Sequence, residues 1–222
     1  MLILLNENYL QVLEKIATSN HWITLVLMFL LFGLVLLKAI SSKRLNRSLY
    51  SLFNKNLINI ESKESTSFFD VFQIVFFLFS AIVISLLVFN FKMYRSGTGD
   101  AVFSSFLLVL IRISSYFLLI KILENVFLYV FLIKKEVRFF IVSKSNYLNA
   151  IAFLLYIAIV LNQYAHLKQT HLYYFACFLF FIRAVFHVVS NKNLIFRELF
   201  YFILYICAFE IAPLFILFKL MF

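Results

Sequence analysis

The sequence predicts an all-α, polytopic membrane helix bundle with six transmembrane helices and flanking interfacial amphipathic segments. Three observations predict it. Of 222 residues, 64% are hydrophobic and only 14% charged, where a soluble domain carries roughly 45–50% apolar and about 25% charged residues. Mean hydropathy is +1.00, and several uninterrupted apolar runs approach the ~20 residues a helix needs to cross a hydrocarbon core of ~30 Å. None of these runs alternates apolar and polar positions as a barrel strand does, and backbone groups in lipid must be bonded internally, so the crossings are helices. A cytosolic enzyme, a disulfide scaffold and a disordered tail are excluded.

Residues 1–20 carry Leu5, Tyr9, Val12, Leu13 and Ile16 at helical spacing, beside Glu7 and Glu14. They read as an interfacial segment on the outer boundary, without the basic start or small-residue cleavage site of a signal peptide. The first crossing is 22–40, free of charge until Lys38. Residues 41–66 form a basic amphipathic connection. Leu45, Leu49, Leu52, Phe53, Leu57 and Ile60 make one apolar face, and Arg44, Arg47 and Lys55 are placed to contact anionic headgroups. The second crossing, 68–91, contains only Asp70 as a charge.

The third crossing is 101–120, but the chain stays apolar to Ile133, interrupted by Arg112, Lys121 and Glu124. That is about 50 Å of helix, too long for one crossing, while the stretch beyond Glu124 is too short for another. Residues 125–133 therefore read as a continuation that follows the interface, packs back on the bundle, or runs out of the membrane. The remaining crossings are 147–164, 171–189 and 199–220. No internal repeat or second domain interrupts the chain, so 1–222 reads as one integral membrane domain.

Lys and Arg placement sets the orientation. Lys38, Lys43, Arg44, Arg47, Lys55, Lys63, Lys134, Lys135, Arg138, Lys144, Lys192 and Arg197 lie on one side, against Lys15, Lys92, Arg95, Lys168 and Lys219 on the other. The basic side is expected to be cytoplasmic, with both termini periplasmic. The net charge of +10 is then a topology signal, and nucleic acid is not an expected partner.

Ionisable groups within the crossings cost about 2.5–3.5 kcal/mol each at a helix centre unless paired or hydrated. Counted along the helices, Arg112 lies about 16 Å and Arg183 about 18 Å from the outer face, and Glu210 about 18 Å from the inner face. Two guanidiniums and a carboxylate at one depth predict an intramembrane charge cluster. Pro213, the chain's one proline, removes the hydrogen bond to the Phe209 carbonyl and kinks the last helix beside Glu210. The cluster reads as a register-fixing ion pair, as a proton, ion or anionic-substrate site, or as a contact with another subunit. His187, four residues after Arg183, shares its helix face and could join it at a phosphate, or simply mark the membrane boundary. Lys121 and Glu124, three apart, are expected to pair.

Other signals are weak. Cys177 and Cys207 differ in depth by about 8 Å, awkward for a disulfide. His166 and His171 lack neighbours to complete a metal shell, and Gly97-Thr98-Gly99 reads as a turn. No catalytic constellation, metal set or cofactor motif is present. With three glycines, the Phe-rich helices must pack large side chains against Ser and Ala.

The run NLIFRELFYFILYICAFEIAP, residues 193–213, carries a resemblance. It resembles the C-terminal signature of the uncharacterised Bacteroidota inner-membrane family catalogued as domain of unknown function 4271, whose LFYFILYxCAxEIAP run is matched by 199–213. Glu210 and Pro213 fall in the corresponding places. The resemblance implies the inner membrane of a Gram-negative bacterium and supplies no activity. The expected function is a non-enzymatic component of envelope biogenesis or of a larger membrane assembly. The alternative is a small transporter or flippase for a lipid-linked anionic substrate, using Arg112, Arg183 and Glu210. Expected partners are the bilayer, other membrane subunits, and an anionic lipid or lipid-linked phosphate.

Overall fold

The computed structural model describes residues 21–50, 71–96, 103–130, 134–165 and 168–197. Within them the chain forms helices α1 (His21–Tyr50), α2 (Val71–Ser96), α3 (Phe103–Val130), α4 (Lys134–Tyr164) and α5 (Gln169–Arg197). Four helices are long and apolar enough to cross a membrane: His21–Leu49, Val71–Arg95, Phe103–Asn125 and Ser143–Tyr164. The expected fifth crossing falls within α5, which is helical throughout. The sixth, 199–220, and the interfacial segment 1–20 lie outside the described residues.

Successive helices run up and down. Trp22 at the start of α1 meets Phe89 late in α2 and Phe103 and Phe106 at the start of α3, at ring separations of 5.4, 5.6 and 5.1 Å. Tyr173, early in α5, meets Phe91 and Tyr94 of α2 at 5.2 and 5.5 Å. These junctions gather at one end, called here the aromatic end. The basic connections lie at the other, the basic end. Each ring pair adds about 0.5–1.5 kcal/mol beyond the area it buries.

α2 and α4 form the centre. α1 packs across both, α3 lies mainly against α2, and α5 against α4. Burial follows that order: 56% of the spanning stretch of α2 is buried and 44% of α4, against 22% for α1 and for α3. In lipid the solvent is as apolar as the side chains, so close packing rather than water exclusion must hold helices together. The contact surfaces supply it by setting large rings against small residues. Phe76, Phe79 and Phe89 are buried together with Ser80, Ala81, Ser85, Ala150 and Ala152, the size alternation that a glycine-poor sequence requires.

Several buried hydroxyls bond to main-chain carbonyls. Ser85 Oγ donates to the Ala81 carbonyl at 2.7 Å. Ser80 Oγ lies 2.9 Å from the Phe76 carbonyl and 3.2 Å from Asn149 Oδ1 on α4, sharing its single proton between them. Tyr156 of α4 donates to the Leu27 carbonyl of α1 at 3.2 Å, fastening the first helix to the centre.

One boundary agrees with the sequence reading and one differs. The crossing helix ends where expected: α1 bends at Ser41, whose φ of −160° and ψ of 89° leave the helical region, and continues to Tyr50 as the start of the expected amphipathic connection. The Arg44 amide donates to Ser41 Oγ at 3.4 Å, so Ser41 acts as the N-cap of a second helix that begins the basic connection. α4 begins at Lys134, well before the first residue of the expected fourth crossing at 147. Residues 134–146 are therefore helix too, because a helix persists wherever backbone bonding permits, not only where residues are apolar.

Candidate functional site

The charges that matter are those carried into the apolar helices. Glu124 lies on α3 four residues beyond the expected third crossing and is 3% exposed. Its Oε2 receives Lys121 Nζ, one turn earlier, at 3.5 Å, the pairing its spacing predicts. Its Oε1 receives Lys144 Nζ from α4 at 3.2 Å. The Lys144 side chain is 11% exposed and that of Lys121 44%. One ammonium is thus enclosed with the carboxylate and the other is half open.

The second lysine of this centre is missed by local spacing, since it comes from the next helix. A signal for it does exist. The expected crossings end at 120 and begin at 147, so in antiparallel neighbours Glu124, four residues beyond the one, and Lys144, three before the other, meet at about one level. α3 and α4 otherwise touch only lightly, and this pair is a polar link between them. The same basic end holds buried Ser48, Ser143 and Asn146, and half-buried Arg44 and Arg47 on the continuation of α1. Ser143 Oγ is enclosed without a hydrogen-bond acceptor among the described residues.

The predicted mid-membrane cluster is placed only in part. Arg112 is exposed on α3, about 14 Å along the helix from Phe103. Arg183 is half-buried on α5, and the helical register sets His187 one turn beyond it. α3 and α5 flank the central pair and share no more than marginal contact, so among the described helices these arginines do not form one packed unit. Glu210 and Pro213 lie outside the described residues. Cys177 is a free thiol on the exposed side of α5, and Cys207 falls outside the description.

Arg112 has company of its own. Ser104, Leu108, Arg112, Ser115 and Leu119 recur at three- and four-residue intervals on α3, and the two serines are exposed with the arginine. A stripe of this kind, at mid-depth on a helix whose spanning stretch is only 22% buried, suits contact with another helix better than contact with acyl chains.

The family model for domain of unknown function 4271 matches residues 23–221. The chain belongs to this family. The domain of unknown function 4271 match takes in nearly all of α1, the four helices that follow, and the segment bearing Glu210 and Pro213. Arg112, Glu124, Lys144, Arg183 and Glu210 are accordingly parts of one family unit. No curated protein and no solved structure matches the chain.

Proposed function

We propose that this domain of unknown function 4271 protein is a non-enzymatic, six-crossing component of a bacterial inner membrane, with both termini periplasmic. In this reading it is an integral subunit of a larger assembly serving the envelope of a Bacteroidota cell. The observation that carries the reading is the exposed Ser104–Arg112–Ser115 stripe of α3. A guanidinium near the membrane centre costs about 2.5–3.5 kcal/mol if it faces lipid, and serines gain nothing there. The stripe is the kind of surface that meets a polar group on a neighbouring helix. A neighbouring helix, of this chain or of a partner subunit, would meet the exposed serines of this stripe beside the interaction that Arg112 already makes. The apolar composition favours contacts in the plane of the bilayer, because it leaves little polypeptide outside it.

A photo-crosslinker at Ser115, introduced in the native membrane, tests the proposal. A defined adduct with another membrane protein or a second copy, lost in Arg112→Leu, is expected. Only internal adducts, together with a solitary monomer in mild detergent, would refute the assembly role. The transporter reading makes a different forecast: Glu210→Gln and Arg183→Ala abolish function at unchanged abundance. If both instead reduce abundance, the charges fix helix register.

A further inference from the structure

The centre at Glu124 has a feature that structural pairing does not use. Among the described side chains the Glu124 carboxylate faces two ammoniums, and the half-open one, Lys121, is the one that reaches the surface. Lys121 is about 27 Å along α3 from Phe103, at the level where hydrocarbon gives way to headgroups. An ammonium offers three N–H donors, and the 3.5 Å contact of Lys121 with Glu124 Oε2 is an ion pair that makes no hydrogen bond at that oxygen.

The helix continues the pattern toward the membrane centre. Leu118, Ile111 and Leu107 share the Lys121 face and are 54%, 57% and 43% exposed. With Lys121 they form a column of about 21 Å, longer than the ~15 Å hydrocarbon depth of one leaflet. This column passes half-buried Ser114 between Ile111 and Leu118 and lies about a quarter turn around α3 from the Ser104–Arg112–Ser115 stripe, so the two surfaces adjoin.

We propose that Lys121, positioned by Glu124, binds the phosphate of an anionic phospholipid in the leaflet at the basic end, with an acyl chain lying along Leu118, Ile111 and Leu107. The occupant is argued from charge complementarity and from the apolar column, which a soluble phosphate would leave unused. Glu124 acts as a positioning residue: it fixes an otherwise flexible four-carbon stem, so that the ammonium is presented at headgroup level before lipid arrives. The site is argued from Lys121 and its column and not from the partner contact proposed for the adjoining stripe.

The test is native mass spectrometry of the full chain released from mixed phosphatidylglycerol–phosphatidylcholine vesicles. Wild type should retain phosphatidylglycerol over phosphatidylcholine, and Lys121→Gln should lower that preference about fivefold. Lys121→Arg should keep it, as should Lys92→Gln at the aromatic end. An unchanged preference in folded Lys121→Gln, or an equal loss in Lys92→Gln, would overturn the site. Should Lys121→Gln not fold, wild type decides. Thermal protection by phosphatidylglycerol that inorganic phosphate does not reproduce sustains the proposal, whereas equal protection by inorganic phosphate overturns the lipid as the source.

Discussion

At the scale of single residues, Glu124 is the most consequential side chain in the described structure. Enclosing a carboxylate is costly, and the cost is offset only while both ammoniums stay in reach. Breaking such a pair from one side is worse than removing it. Glu124→Leu leaves the Lys144 ammonium enclosed without its counter-charge and should lower stability by about 3–5 kcal/mol. The double variant Glu124→Leu, Lys144→Met should recover most of that loss, since a well-packed apolar pair is often as stable as the ion pair it replaces. Denaturation of the four members of this double-mutant cycle in detergent micelles measures the coupling. Additive losses would show that the two groups do not support one another. Lys121→Gln is milder, because its side chain is 44% exposed and solvent screens its share.

At the scale of elements, the bend at Ser41 divides α1 into a crossing and a surface helix. Its cap predicts that Ser41→Ala costs about 1 kcal/mol and speeds hydrogen exchange at the Arg44 amide, whereas Ser41→Asp preserves protection. Exchange unchanged in the alanine variant would mean the bend is held from elsewhere. This boundary was legible in the sequence: the apolar run ends at Ile40, and Ser41, Ser42, Lys43 and Arg44 mark a change of surroundings. The start of α4 was not legible in the same way. Hydropathy reports where lipid begins, while the helix reaches back to Lys134 through charged residues that bond their backbone equally well. Lys121 and Glu124 announced themselves through helical spacing, but Lys144 belongs to another helix and could be found only by comparing depths. Periodicity likewise assigns Arg112 and Arg183 the same depth without saying that α3 and α5 flank the centre separately. Depth is a property of one helix, and adjacency belongs to the bundle.

At the scale of the whole molecule, the up-and-down order sets the end of α1, the α3–α4 connection and the end of α5 at one end of the described bundle. That arrangement supports a test of the proposed orientation. Lys43 and Lys92 are both exposed and belong to opposite ends. In intact cells with a permeable outer membrane, a membrane-impermeant thiol reagent should label Lys92→Cys and spare Lys43→Cys in a Cys177→Ser, Cys207→Ser background. Disruption of the inner membrane should expose both. The reverse pattern would invert the assignment and move the Lys121 site to the periplasmic leaflet.

Trp22 is the chain's one tryptophan, and its indole is lodged among Phe89, Phe103 and Phe106, drawn from two further helices. The protein therefore contains its own optical gauge. Indole emission reports on a single three-helix junction, so separation of the first helix from the next two is visible as a spectral shift without any attached dye, while events around the acidic centre at the far end leave that signal quiet.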